Sequence, residues 1–258
     1  MPLYYHAHRL RVFLAAGSAP GGCEVADKSR VRSVVDLVTT VLVALTACVA
    51  LVKLLQPPSP STQRNRPEPA VPTAPIPVGE LPRLGSEDAP LGLIVFSDFE
   101  CPACQFWAMN MLPTIKNTFV RDGTLQVFHA HHPLERHQRA VPAAAVAECA
   151  GSAGQFWPMH DLLFAEPKAL EDADFQRHWS AVGLQAKHLD ECRPTKESRL
   201  RRMADGNKTL QIQGTPTLFL GQVTRSKTVL VKKRWTGVIS AEVLGDSMKQ
   251  LGNQPVER

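Results

Sequence analysis

The chain has one C-x-x-C, at Cys101 and Cys104, and no second copy of the motif. A structural zinc site normally takes four protein ligands, so the absent second pair weakens a metal clip. The formal charge of +5 is carried by dispersed lysines and arginines with no aromatic stripe beside them, and no nucleic-acid partner is expected. There is no internal repeat. Cysteine is scarce, with six in 258 residues: Cys23 and Cys48 near the start, then Cys101, Cys104, Cys149 and Cys192. Four in the larger part allow two bridges, which persist only outside the reducing cytosol. An apolar content of 44% supports one main core.

The run Leu37–Leu55 is nearly free of charge, interrupted only by Lys53 close to its end. Its 19 residues approach the length needed to span a bilayer. Arg9, Arg11, Lys28, Arg30 and Arg32 precede it and fewer basic residues follow closely. The positive-inside rule then places the N-terminus in the cytoplasm and the C-terminal part across the membrane. A cleaved signal peptide and a lipoprotein signal ending at Cys48 are the alternatives. No clear A-x-A site follows the run, and Val49–Leu55 stays apolar beyond the lipoprotein cut. All three readings export the rest of the chain.

The expected organisation is a short cytoplasmic or irregular segment over 1–33, a signal anchor over 34–55, a linker over 56–78 and a main domain over 79–258. Residues 56–77 contain eight prolines and suit an extended stalk of about 3.1 Å per residue, roughly 70 Å in all. In the main domain, Leu91–Phe96 reads as a strand buried on both faces. A helix is expected to start at Cys101 or Pro102, kink near Pro113 and stop by Gly123, followed by a strand over 124–130. A helical block fills about 137–211. Strands return at 215–221 and 228–235, spaced as a hairpin, and an amphipathic helix closes the chain.

Placed at a helix start, the two cysteines could be a redox couple, a plain bridge or half of a metal site. A catalytic pair needs one exposed thiolate and one nearby thiol to resolve the mixed disulfide. The positive end of the helix dipole and its unpaired N–H groups favour Cys101 as nucleophile, with Cys104 one turn in and more covered. Glu100, next in sequence, opposes the thiolate. The stretch HAHHPLERH holds His129, His131, His132 and His137. A metal site there competes with a solvated strand end, and the latter is preferred. Pro216, opening a strand after Gly214, suits a cis bond.

These residues resemble the DsbA-like thioredoxin-fold family. The resemblance rests on LGSEDAP, FSDFECPACQFW, AECAGSAGQFWPMHDLLF and GTPTLFLG, in that order, over roughly residues 79–258. It implies an α/β thioredoxin fold with a helical insertion, Cys101 as exposed nucleophile, Cys104 as buried partner, and Pro216 in cis against the pair. It also implies that the backbone at Thr215 pairs with an extended substrate segment. Ala103 stands where the best-known member has histidine, which counts against extreme oxidising strength. Some members carry a second disulfide where Cys149 and Cys192 stand. Trp107, Phe156, Trp157, Phe164 and Trp179 are expected to pack, and His160 to be structural.

The activity expected from this resemblance is thiol-disulfide oxidoreduction without a cofactor. The substrates would be exported cysteine-containing proteins, and a DsbB-like or quinone-linked membrane partner would recycle the monomeric enzyme. A reductase or isomerase using the same cysteines is the alternative, and a non-enzymatic metal carrier the rival from another class.

Overall fold

The structure is a computed structural model that describes residues 28–55 and 70–252. The chain divides into two compact units, 1–66 and 67–258. Most of the segment read as 1–33 and most of the stalk lie outside the described residues.

In the first unit, helix α1 (Lys28–Leu55) contains the whole apolar run. Leu37, Val38, Val41, Leu42, Val43, Leu45, Val49 and Leu51 are exposed on it. The hydroxyls of Thr40 and Thr46 donate to the carbonyls of Asp36 and Leu42, one turn back, so these polar groups are satisfied inside the helix. Among the described residues no helix is long and apolar enough to cross a membrane.

The second unit is built on six strands: β1 (Ile76–Pro77), β2 (Arg83–Leu84), β3 (Leu91–Ser97), β4 (Leu125–His131), β5 (Thr217–Val223) and β6 (Thr228–Thr236). Their order is β1-β6-β5-β3-β4-β2. Only β3 and β4 pair in parallel, which requires a crossover between them. That crossover starts with α2 (Pro102–Phe106), passes through α3 (Leu112–Ile115) and ends at Val120. Between α2 and α3 the chain forms a wider turn, Trp107–Met111, in which the N–H of Leu112 bonds the carbonyl of Trp107. Pro113 has no N–H to offer the residue four before it, and the widened turn absorbs that loss where the kink was expected.

Alternation along the strands feeds two cores. Leu91, Leu93, Val95, Leu125, Val127, Leu218 and Leu220 face α2, α3 and the helical block. Ile94, Phe96, Phe128, Ala130, Phe219, Val229 and Val231 face the other way. The block consists of α4 (Ala140–Ser152), α5 (Phe156–Ala165), α6 (Asp172–Ala181), α7 (Ala186–Gly206) and a final 3₁₀ turn, Asn207–Leu210. The amphipathic α8 (Ala241–Gly252) buries Leu244, Met248 and Leu251. At Gly221 the β5–β6 register shifts by a bulge, and a Cβ there would run into the carbonyl of Leu230.

The domain begins earlier than the linker boundary at 78 implies. Ile76 pairs with Val229, the N–H of Val78 bonds the Lys227 carbonyl at 2.9 Å, and both side chains are buried. Pro77 is admissible in this strand because β1 lies at the sheet edge, where a missing donor costs no ladder bond.

Candidate functional site

Cys101 is the N-cap of α2, in extended conformation, with Pro102 at the first helical position. The loop before it is held by Asp98. Its backbone carbonyl accepts from the Cys101 N–H at 3.1 Å, and its carboxylate accepts from the N–H groups of Glu100 and Leu134, each at 2.8 Å. His137 Nδ1 lies 2.8 Å from the same carboxylate. One buried acid thus ties the cysteine loop to the segment that follows β4.

The Thr215–Pro216 bond is cis. The Thr215 carbonyl lies 3.3 Å from Cys101 Sγ, which donates to it while the thiol is protonated. Thr215 precedes the first paired residue of β5, Thr217, so its backbone adds nothing to the ladder. Thr217 closes the loop by donating to the Gly214 carbonyl at 2.7 Å.

The resemblance implied an exposed nucleophile, whereas Cys101 is 5% exposed and Cys104 is 1% exposed. The covering group is the loop at Thr215–Pro216, packed on the sulfur from 114 residues away. Both thiols are free, yet they differ in acidity. Cys101 is lowered to about 5, chiefly by the hydrogen bond from Cys104, with help from the backbone N–H groups of Cys104 and Ala103, against the opposing effect of burial. Cys104 is pushed far up by burial and then by serving as the donor to Cys101. The pair therefore holds one ionised and one protonated sulfur near neutrality.

Glu100 is held by another partner than the sulfur its position in the sequence suggested. Its carboxylate accepts from the Arg139 N–H at 2.6 Å, at the N-cap of α4, where a negative group meets the positive helix end. Arg139 in turn pairs with Glu171 and Asp172 at 3.1 Å. Its guanidinium also donates to the Leu170 carbonyl.

The histidines expected at a solvated strand end are mostly inside. β4 runs on to His131, and α5 covers it, so His129, His131 and His160 are buried together among Phe99, Phe156, Trp157 and Phe164. Burial, reinforced by the neighbouring His131 and His160, holds His129 well below the usual histidine range. His160 is also lowered by burial, although Asp161 at 2.9 Å works against this. His131 Nε2 lies 3.2 Å from Glu148, and His137 belongs to Asp98. Among the described residues no group of three or more His, Cys, Asp or Glu side chains is arranged to hold a metal ion.

Cys149 on α4 and Cys192 on α7 form a disulfide, with Cα atoms 5.9 Å apart. Trp107, Phe156, Phe164 and Trp179 are buried in the same core as the cysteine pair, with Trp157 packed against it. Asp98 and the Glu100–Arg139 contact were not singled out from sequence. The acid in DFEC, three residues before Cys101, was the available signal.

The family model described as Thioredoxin matches residues 78–239. In fold, the chain is similar to alpha-DsbA1 of Wolbachia pipientis (TM-score 0.59, 18% identity, 68% of this chain and 92% of that one). It is also similar to oxidised BdbD from Bacillus subtilis (TM-score 0.56, 18% identity, 70% and 97%). In sequence it is 26% identical to a probable disulfide bond formation protein D of Bacillus anthracis over 53% of this chain and 68% of that one. It is 35% identical to the Na(+)/H(+) antiporter NhaA 1 of Mycolicibacterium vanbaalenii over 54% of this chain but 23% of the antiporter, so it spans only a fraction of that relative's length. The matched model takes in strands β2 to β6, the paired cysteines and the cis-proline loop together, and the chain belongs to that thioredoxin family.

Proposed function

We propose that this chain is a thiol-disulfide oxidoreductase that works as an oxidase of exported proteins. The observation that carries the reading is the split between the two sulfurs, with Cys101 lowered to about 5 and Cys104 pushed up. A low-pKa thiolate is a good leaving group, and stabilising the dithiol form makes the disulfide a stronger oxidant. Thiols of this kind range from about 3.5 in a strong oxidant to about 7 in thioredoxin. A value near 5 fits an oxidant of intermediate strength.

The catalytic cycle starts from the Cys101–Cys104 disulfide. A substrate thiolate attacks Cys101 Sγ; the 101–104 bond breaks, the mixed disulfide forms, and the Cys104 sulfur takes a proton. A second substrate thiolate then attacks the substrate sulfur. Cys101 leaves as thiolate, the substrate is oxidised by two electrons, and the enzyme is left as the dithiol. The backbone at Thr215, beside Cys101 and outside the ladder, is placed to pair with an extended substrate segment, which gives a broad range. Return to the disulfide requires an external acceptor, for which a membrane partner of DsbB-like or quinone-linked type is proposed.

Tethering is part of the same reading: although no helix among the described residues is long and apolar enough to cross a membrane, the run at 37–55 is taken, on its sequence, as a single-pass anchor with the C-terminal domain on the extracytoplasmic side. The run of 19 residues at 37–55, the basic residues before it and its exposed leucines and valines support this. Flotation of the full chain with membranes, lost on deleting 28–55, tests the anchor. The redox direction is tested by equilibrating the protein in glutathione buffers. A potential well above about −270 mV is expected, and a value at or below it would make the chain a reductase.

A further inference from the structure

A cavity opens beside the sheet, lined by Ile76, Phe96 and Ala130 of the face turned away from the cysteines and by Glu148 and Leu200 of the helical block. The sheet, segment 70–77, α7 and the turn at 209–211 enclose about 650 Å³. That volume falls within the range of small-molecule sites, roughly 300–1,000 Å³. Its walls are largely apolar, with Val71, Ile76, Phe96, Ala130 and Leu200 contributing.

The charges lining the cavity do not balance. Glu80 pairs with Arg199 at 2.6 Å, and Glu148 pairs with Lys196 at 3.4 Å. Arg234 is left over. It is 2% exposed, and among the described residues its guanidinium donates only to the carbonyls of Ala70, Leu210 and Gln211 and lies over the Phe219 ring. Carbonyl dipoles orient a guanidinium but do not cancel its charge. Among the described residues no carboxylate pairs with Arg234, and its buried Nε–H has no partner. A buried cation without a counter-ion is costly, and a group that supplies one negative charge and an acceptor removes that cost. Arginine takes carboxylates in a two-pronged geometry.

We propose that this cavity binds a small amphiphilic carboxylate, with its head on Arg234 and its apolar body along Val71, Ile76 and Phe96. Neither cysteine lines the cavity, although its wall includes Leu200 of the core that holds them.

The test uses octanoate and 1-octanol as matched probes on the full chain, by calorimetry and by amide shifts in labelled protein. Octanoate is expected to bind about tenfold or more tightly than octanol, with shifts at 70–77 and 209–211. Arg234→Gln should abolish that preference. Because this change also removes three carbonyl bonds, Ala130→Leu provides a second variant that fills the cavity and leaves the arginine in place. It should weaken binding of both probes while Cys101 still reacts normally. Equal affinity for the two probes would overturn the role given to Arg234. Shifts elsewhere, or unchanged octanoate binding in Ala130→Leu, would overturn the site.

Discussion

Replacing Cys104 with alanine tests the origin of the reactivity at Cys101. The largest influence lowering the Cys101 thiol is the hydrogen bond from Cys104, and the outcome is an acidity near pH 5. A hydrogen bond to a charged acceptor is worth about 1.5–3 kcal/mol, and one pKa unit is about 1.36 kcal/mol. Losing the bond should therefore raise the midpoint by roughly 1–2 units, to about 6–7. A single alkylation rate at neutral pH is a poor readout. Relative to a free cysteine of pKa about 8.5, the thiolate fraction at pH 7 rises about 30-fold. Over the same interval the intrinsic nucleophilicity falls by roughly 25–55-fold, so the two nearly cancel. The slight exposure of Cys101 also scales the rate without moving the midpoint. The informative assay is the full pH profile, from iodoacetamide labelling or thiolate absorbance, in the reduced protein and in Cys104→Ala. A parent midpoint near 8.5, or no change in the variant, would refute the reasoning.

The dithiol form should gain stability over the disulfide form as pH rises from about 5 toward 8.5, because Cys101 is depressed in the folded state and its contribution is lost only as pH falls through about 5. Above that window the trend should reverse as Cys104, held protonated in the fold, ionises in the unfolded chain; urea melts of both forms across pH would show it. Removing the bridge with Cys149→Ala and Cys192→Ala, which are 43 residues apart, should cost about 4 kcal/mol in denaturant unfolding and leave the Cys101 midpoint in place. Glu100→Gln should leave that midpoint within a few tenths of a unit and cost about 1 kcal/mol of stability at the start of α4; a clear downward shift would show that the carboxylate does act on the sulfur. Gly221→Ala should destabilise the fold by at least about 2 kcal/mol, read from the same melts, because the bulge leaves no room for a methyl against the Leu230 carbonyl.

What could be read without coordinates was the local chemistry. Proline after a cysteine marks a helix start, Val and Ile runs mark buried strands, and proline after Gly-Thr marks the turn facing the pair. The structure adds the features set by distant contacts. The cover over Cys101 comes from Thr215, and no windowed pattern reports such a contact. Glu100 turned out to face Arg139, because adjacency in sequence says nothing about side-chain direction. The polarity of His129 and His131 suggested water, yet α5 lies over them. Ile76 and Val78 were masked by the prolines around them, although an edge strand accepts proline. Arg234, preceded by Lys232 and Lys233, looks like part of a solvated basic run until the neighbouring segments close over it.

On the proposed oxidase reading, the covalent link between α4 and α7 makes each newly made copy itself a substrate of the reaction. Its helical block is completed only when something removes two electrons from Cys149 and Cys192. If the proposed oxidase activity holds, a finished copy could supply that oxidation to the next, and the stock of enzyme would be self-propagating.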